Sequence, residues 1–385
     1  MSIPFLDLRR LNEPFFDEIR EAADRVIASG RYVGGEECSR FEQALGQYVG
    51  APHVVGVSNG LDALRLILRA WVERGDLRQG DEVIVAANTY IASVLAIIDA
   101  GLTPVLAPVD MATLNLDTKR LDESLSPRTR AVMPVHLYGR ACWDSRLVEF
   151  VNRHSLLVIE DNAQAIGAQA TTDGLTPTGE ETRQPSRFTG ALGHAGAFSF
   201  YPTKNLGALG DAGAVATHDA DLARRVRALA NYGSDKRYHN LYLGYNCRLD
   251  PMQAAVLNVK LPHLDAENAH RRSLAAIYDR AITNPHITKP MQGGADMVWH
   301  QYVIQCDNRD ALQAHLAQHG IATDIHYAVA PHRQPCLVEN GNLCRVAANA
   351  ALLADKIGAA VLSLPISSCT SEEEAEMIAS AINRF

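Results

Sequence analysis

Residues 198–213 read Phe198-Ser199-Phe200-Tyr201-Pro202-Thr203-Lys204-Asn205-Leu206-Gly207-Ala208-Leu209-Gly210-Asp211-Ala212-Gly213. An apolar run enters a turn, and a lysine stands where the run ends. Gly207, Gly210 and Gly213 follow closely, a density that lets backbone turn sharply or approach a ligand. Their spacing is not G-x-G-x-x-G, so it does not indicate a dinucleotide site. Upstream, Leu156-Leu157-Val158-Ile159-Glu160-Asp161 is a second apolar run that ends in acids. A lone lysine in a turn is usually an exposed one. A lone aspartate after a strand is about as often a cap for the segment that follows. Presented together from neighbouring strand ends, the two can share a pocket.

The rest of the first two-thirds repeats one theme. Strands are expected at His53–Val57, Glu82–Ala86, Pro104–Ala107, Ala131–Val135 and Leu156–Ile159. Between them, Leu61–Val72 and Ile91–Asp99 show helical spacing of apolar residues. Alternating strands and helices predict an α/β fold with a mostly parallel central sheet flanked by helices. Ligands in such sheets bind beyond the carboxyl ends of the strands, where Asp161 and Lys204 are expected. Pro251–Arg280 reads as a long helix that Pro262 should kink or break. Beyond it lie a strand at Gln301–Cys306, a helix at Asp310–His319, a strand at Ala322–His326 and closing helices. Residues 1–255 are therefore expected to form a large domain, whose N-terminal segment can pack elsewhere. Residues 256–385 are expected to form a smaller C-terminal α+β domain. Thr171–Thr189, rich in Thr, Gly, Pro and Arg, reads as a long mobile surface loop that can overhang the site.

A chain of 385 residues suits one large domain plus a smaller one. The net charge is −8 and no long basic run occurs, which argues against nucleic-acid binding. No apolar stretch is long enough to span a bilayer, and the N-terminus does not read as a signal peptide. The seven cysteines include no C-x-x-C pair. Reduced thiols and a cytoplasmic location are the simpler expectation, and no metal site is indicated.

The lysine and aspartate match the needs of pyridoxal 5′-phosphate (PLP). The lysine would engage its aldehyde, and the carboxylate would keep its ring nitrogen protonated. Gln164, three residues after Asp161, can reach a phenolate oxygen of such a ring. Ser58-Asn59-Gly60-Leu61 leads from a strand into a helix, whose free N–H groups can bind phosphate; an ordinary helix entry reads the same. Ser199 can add a hydroxyl there. Tyr90 can stack on a pyridine ring or simply be a core tyrosine. His136 can line the site or be a buried, satisfied histidine.

The segments SNGLDAL (58–64), ANTYIAS (87–93), MPVHLYG (133–139), IEDNAQAIGA (159–168), FSFYPTKNLGALGDAG (198–213), NYGSDKRYHN (231–240), GYNCRLDPMQAAVL (244–257) and HYAVAPHRQP (326–335) occur in this order. Together they resemble the DegT/DnrJ/EryC1/StrS family of PLP-dependent sugar aminotransferases over essentially the whole chain. The resemblance implies the aspartate aminotransferase-like fold type I and a homodimer with shared active sites. GLDAL and the lysine segment are most similar to the branch that aminates C3 of dTDP-3-keto-6-deoxyhexoses. By position, Lys204 matches the lysine that bonds the cofactor, and Asp161 the partner of the pyridine nitrogen. Gln164 matches the partner of the ring oxygen and Tyr90 the stacking aromatic. Gly60, Leu61 and Ser199 match the phosphate cradle, and Asn246 an asparagine reaching that phosphate from the neighbouring subunit. Tyr32, Tyr201, Tyr238, Arg248 and His326 fall where relatives contact the sugar nucleotide. Cys247 stands where many relatives have serine or tyrosine, and Leu61 where other branches have threonine.

The implied reaction is a ping-pong transamination from L-glutamate to a nucleotide-linked ketosugar. Its rivals are a C4 aminotransferase, a sugar dehydratase of the same fold, a non-catalytic PLP-binding regulatory protein and a nicotinamide oxidoreductase. The dehydratase branch has histidine in place of Lys204. The regulatory reading sits poorly with Lys204, Asp161 and Gln164 together.

Overall fold

The computed structural model describes residues 2–172, 175, 187–341 and 343–385. Most of the Thr171–Thr189 loop expected from sequence lies outside the described residues. Its end is not a surface loop: Thr189 is buried, and its hydroxyl donates to Ala165 O at 2.7 Å.

The strands are β1 (His53–Val57), β2 (Glu82–Ala86), β3 (Thr103–Ala107), β4 (Thr129–Met133), β5 (Leu157–Asp161), β6 (Ala195–Ser199), β7 (Gly213–Thr217), β8 (Ser234–Lys236), β9 (His239–Asn240), β10 (Tyr302–Gln305), β11 (Arg345–Val346) and β12 (Val361–Leu364). The helices are α1 (Leu8–Asn12), α2 (Phe16–Ser29), α3 (Glu36–Val49), α4 (Gly60–Arg74), α5 (Ile91–Asp99), α6 (Ser145–His154), α7 (Ala220–Leu229), α8 (Pro251–Lys260), α9 (Leu264–Ala281), α10 (Arg309–Gln318), α11 (Pro335–Val338), α12 (Ala350–Ala360) and α13 (Glu372–Asn383).

One sheet runs in the order β1-β7-β6-β5-β4-β2-β3-β11. It is mostly parallel; β7 alone is antiparallel to its neighbours, β1 and β6. Successive side chains of a strand point to opposite faces, and the cores follow that alternation. Val54, Phe198, Ala214 and Ala216 pack with Phe41 and Leu45 of α3 and Leu257 of α8. Val55, Val57, Ala197 and Val215 pack on the other face with Leu64 and Ile67 of α4 and Val226 of α7. Helices therefore cover both faces, and the strand ends are left to build a site.

A second core joins the later part of α9 to β10, α10, β12 and α13, around Leu274, Tyr278, Tyr302, Leu316 and Ile378. Leu264, at the start of α9, still belongs to the core under the sheet. The change of core thus falls within α9. Pro262 acts as its ring chemistry requires: α8 stops at Lys260, a 3-10 turn spans Leu261–His263, and α9 resumes at Leu264. The chain also crosses back twice. Ile3 packs in the second core, bridging Ile321, while β11 and α12 return to the first. The strand expected at Ala322–His326 does not form. Ile321 pairs with Ile3 and Asp324 with Ser363, two isolated bridges with different partners. Among the described residues no helix is long and apolar enough to cross a membrane. All seven cysteines are free.

Buried Glu82 fastens the returning strand β11 to the sheet. Its carboxylate accepts from Arg345 Nη2 at 2.8 Å, Arg128 Nη2 at 3.0 Å and Ser126 Oγ at 2.6 Å. Burial alone would raise its pKa, but the donors Arg345, Ser126 and Arg128 prevail and hold it at about 2. The folded value lies below the unfolded one, so this stabilisation is complete above the usual glutamate range and is lost as pH falls toward 2. Glu82→Gln is expected to lower stability at pH 7 by roughly 3 kcal/mol. The variant should also lose part of the wild-type's acid sensitivity, which urea unfolding at pH 7 and at pH 3 would measure.

Candidate active site

Asp161 ends β5 and Ser199 ends β6, and the two strands pair in parallel. Their ends therefore meet at one edge of the sheet. β1 runs parallel to β6 across β7, so it delivers the start of α4 to the same edge. The approach there is tight: a Cβ on Gly60 would lie 2.7 Å from Ser199 Cβ. Asn59 caps α4 by accepting from Asp62 N at 2.8 Å. The first-turn N–H groups of Gly60 and Leu61 have no acceptor within the helix.

Lys204 lies five residues beyond the end of β6, not at the strand end itself. Its N–H donates to Tyr201 O at 2.8 Å, and Ala208 N donates to Phe200 O at 2.8 Å, closing the turn. The lysine is half-buried and makes no side-chain hydrogen bond or ion pair among the described residues. Burial lowers its pKa to about 8, although nearby Asp161 pulls the other way.

The Asp161 carboxylate is buried and oriented. Oδ2 accepts from Ser93 Oγ at 2.7 Å, and Oδ1 from Ala163 N at 3.2 Å. Ser93 Oγ lies 2.9 Å from Thr89 Oγ1. The Gln164 amide is fixed at both ends: Oε1 accepts from Tyr138 N at 2.6 Å, and Nε2 donates to Tyr327 OH at 3.0 Å. The Tyr327 ring centre lies 5.1 Å from that of Tyr90, which stands exposed at the start of α5. His326 is held by Ser363 Oγ at 2.8 Å. Burial lowers its pKa, Asp324 opposes this, and Lys204 adds to the lowering, so His326 lies within the field of Lys204. His300, wholly buried beside Asn205, is driven well below the usual histidine value by burial and then by Lys204.

The structure thus gathers Lys204, Asp161, Gln164, Tyr90, Gly60, Leu61, Ser199 and His326 at one edge. Tyr201, exposed, is in the same turn as Lys204. Asn246 is exposed, and its neighbour Cys247 accepts through its carbonyl from Ser58 N at 3.2 Å. The backbone of Cys247 thus lies against the phosphate loop of its own chain, while the Asn246 side chain stays exposed. Arg248 donates to Asn231 Oδ1 at 2.8 Å. Tyr32 donates to Ile27 O at 3.1 Å, and Tyr238, 87% exposed, meets Arg237. Among the described residues nothing links these two tyrosines to Lys204. His136 does not line the site. It is fully buried, with Nε2 2.8 Å from Glu160 Oε2 and Nδ1 accepting from Cys142 N at 2.9 Å.

Sequence reading missed Ser93, Tyr327, Tyr138 and His300. Ser93 stands four residues after Thr89 in the same segment, but nothing local points it toward Asp161. Tyr327 adjoins His326 in a quoted motif, but nothing local points it toward Gln164.

This set fits PLP on its own geometry. A lysine with a depressed pKa lies in the field of a buried carboxylate, a fixed amide three residues on reaches Tyr327 of an aromatic pair, and the start of α4 closes on Ser199. The chain belongs to the DegT/DnrJ/EryC1/StrS aminotransferase family, whose model matches residues 15–383. It is 44% identical over 384 residues to the dTDP-3-amino-3,6-dideoxy-alpha-D-galactopyranose transaminase of Aneurinibacillus thermoaerophilus, covering 100% of this chain and 99% of that one. The crystal structure of S. venezuelae DesV with a ketimine intermediate matches at a TM-score of 0.90 and 40% identity, over 100% of this chain and 98% of that one. NtdA from Bacillus subtilis with bound cofactor PMP matches at 0.86 and 26% identity, over 100% and 86%. The fold is that of these family members, fold type I.

Because burial disfavours the ammonium, the neutral amine of Lys204 should appear from about pH 8 upward rather than near 10.5. Acylation of Lys204 by a limiting reagent, read by peptide mass spectrometry in protein free of cofactor, is expected to rise with a midpoint near that pH. A midpoint above 10 would contradict the desolvated lysine.

Proposed function

We propose that this chain is a PLP-dependent aminotransferase that moves an amino group from L-glutamate to C3 of a dTDP-linked 3-keto-6-deoxyhexose. The observation that carries the reading is the shared sheet edge of Lys204 and Asp161. The C3 position and the dTDP group rest on the likeness to the transaminase of A. thermoaerophilus. Bound here, PLP would supply an aldehyde that takes up an amino group and a ring that absorbs carbanion charge.

The protein's own residues would divide the remaining work. Asp161, held by Ser93 and Ala163 N, presents a fixed carboxylate to the ring nitrogen. Gln164 offers its Nε2 hydrogens toward the ring oxygen from an amide anchored by Tyr138 N. Gly60 N, Leu61 N and Ser199 Oγ would hold the phosphate, and Tyr90 would cover the ring. Lys204 Nζ takes the proton from Cα of the amino donor, and in the second half delivers a proton to the sugar carbon that becomes the amine. A pKa of about 8 leaves part of the lysine neutral near physiological pH, as a base requires. One site serving both substrates in turn implies ping-pong kinetics.

The partner is a second copy of this chain. The β8–β9 hairpin supports this, since its surroundings expose Tyr238 by 87% and Leu243 by 83%. Such side chains favour a covered position. In that dimer Asn246 reaches the neighbour's phosphate, and Tyr32, Tyr238 and Arg248 serve the sugar nucleotide of the shared site with Tyr201 and His326.

The direct test is incubation with L-glutamate and a dTDP-3-keto-6-deoxyhexose, followed by product NMR. An amine at C3 is expected; an amine at C4 would move the reading to a 4-ketosugar. Lys204→Ala should abolish turnover and the visible band of the lysine-bound cofactor. Asp161→Asn should keep the fold and lower the rate on the order of a thousandfold. A loss below about tenfold would mean that another group holds the ring nitrogen.

Mixing Lys204→Ala with Asn246→Asp chains, each inactive alone, tests the dimer. In a shared-site dimer one site carries both lesions and the other neither, so activity should return. No return despite demonstrated subunit exchange would rule out the shared site.

A further inference from the structure

A buried ammonium stands outside the set described so far. Lys260, the last residue of α8, is 2% exposed. Its Nζ donates to Gly207 O at 2.7 Å and to Asn12 Oδ1 at 3.0 Å. Asn12 is also buried, and its Nδ2 donates to Leu8 O at 2.7 Å, which leaves Oδ1 to face the lysine. Both acceptors are neutral, and among the described residues Lys260 makes no ion pair. Burial lowers its pKa to about 8. An unpaired buried charge is costly, and an apolar side chain of similar length would fill the space more cheaply. The amine therefore has to be explained by what it holds.

It holds the loop that bears Lys204. Gly207 lies three residues beyond that lysine in the closed turn from Phe200 to Ala208. It is pressed into the turn: a Cβ there would come 2.4 Å from Pro202 O and 3.2 Å from Lys204 O. Packing this close couples the Gly207 backbone to that of Lys204. The other acceptor, Asn12, ends an arm fastened to the C-terminal unit. Ile3 N donates to Gly320 O at 2.8 Å, Ala322 N donates to Ile3 O at 3.0 Å, and Arg10 pairs with Glu374 at 2.8 Å.

We propose that Lys260 is a positioning residue whose two hydrogen bonds hold the Lys204 loop in register with the N-terminal arm, and so with the C-terminal unit. The proposal rests on the reading of Lys204 as the lysine that engages PLP. Its consequence is that the geometry of Lys204 depends on a contact with the far side of its loop.

Lys260→Met keeps the length and removes the donors. In protein freed of cofactor, amide exchange in a peptide spanning 200–208 should quicken by about tenfold, with exchange in β2 and β4 unchanged. The acylation midpoint of Lys204 should move by about half a pH unit or more. In the PLP-loaded protein kcat should fall on the order of tenfold with KM little changed. Lys260→Gln, which keeps a donor, should recover part of each effect. If Lys260→Met does not fold, Asn12→Ala carries the same measurements, with about a threefold rise in exchange expected. A folded variant with a lower Tm, but with wild-type exchange over 200–208 and an unmoved Lys204 midpoint, overturns the proposal. The cofactor-free readouts stand whether or not the chain binds PLP, so a failure of the cofactor reading is recognised separately.

Discussion

One buried carboxylate holds together the strand ends that form the site. Glu160 accepts from Gly190 N at 2.8 Å, Leu192 N at 2.7 Å and Gly193 N at 2.8 Å, and its Oε2 lies 2.8 Å from His136 Nε2. Cys142 N donates to the other ring nitrogen of His136, so the imidazole carries its proton on Nε2 and donates it to Glu160. A carboxylate in this position would be expensive without donors. With them it ties the segment after β4, the end of β5 and the approach to β6 into one unit. Asp161 is the next residue and points to the opposite side, as strand geometry requires. The aspartate can face the site because its neighbour faces the scaffold.

The site's electrostatics follow from where these ends lie. Lys204 is buried enough to lower its pKa, and Asp161 is near enough to oppose that shift without cancelling it. Burial also lowers the pKa values of His326 and His300, and the charge of Lys204 adds to both shifts. The C-terminal part of the chain is also fastened by β11 at the Glu82 ion cluster and by the N-terminal arm at Ile3.

Much of the architecture can be read from the sequence, for definite reasons. His53–Val57, Glu82–Ala86 and Ile91–Asp99 form as expected to the residue, because each is an apolar run bounded by polar or turn-forming residues. The break at Pro262 follows from its ring. Ala322–His326 looked like a strand because local pattern carries no information about partners. In the fold Ala322 N donates to Ile3 O while Asp324 bridges Ser363, so the run meets two different segments. Asp161 could be placed at a strand end from its own run, whereas Lys204 lies five residues past one, because Pro202 begins a turn that the apolar spacing conceals. Ser93 and Tyr327 were beyond sequence reading for the opposite reason. Their partners, Asp161 and Gln164, are 68 and 163 residues away, and only the folded chain brings them together.

The alternation of β1, β6 and β7 between two cores also limits how relatives of this protein can diverge. Inserting one residue in β6 would exchange Ala197 and Phe198 between faces, and with them two helix layers. Length changes in these strands are therefore close to forbidden, while substitutions that respect face and volume are cheap. Gains and losses of residues are left to the connections. The exposed turn around Tyr238 is where new substrate preferences can arise by changes of length, because a deletion there alters no core residue's choice of face.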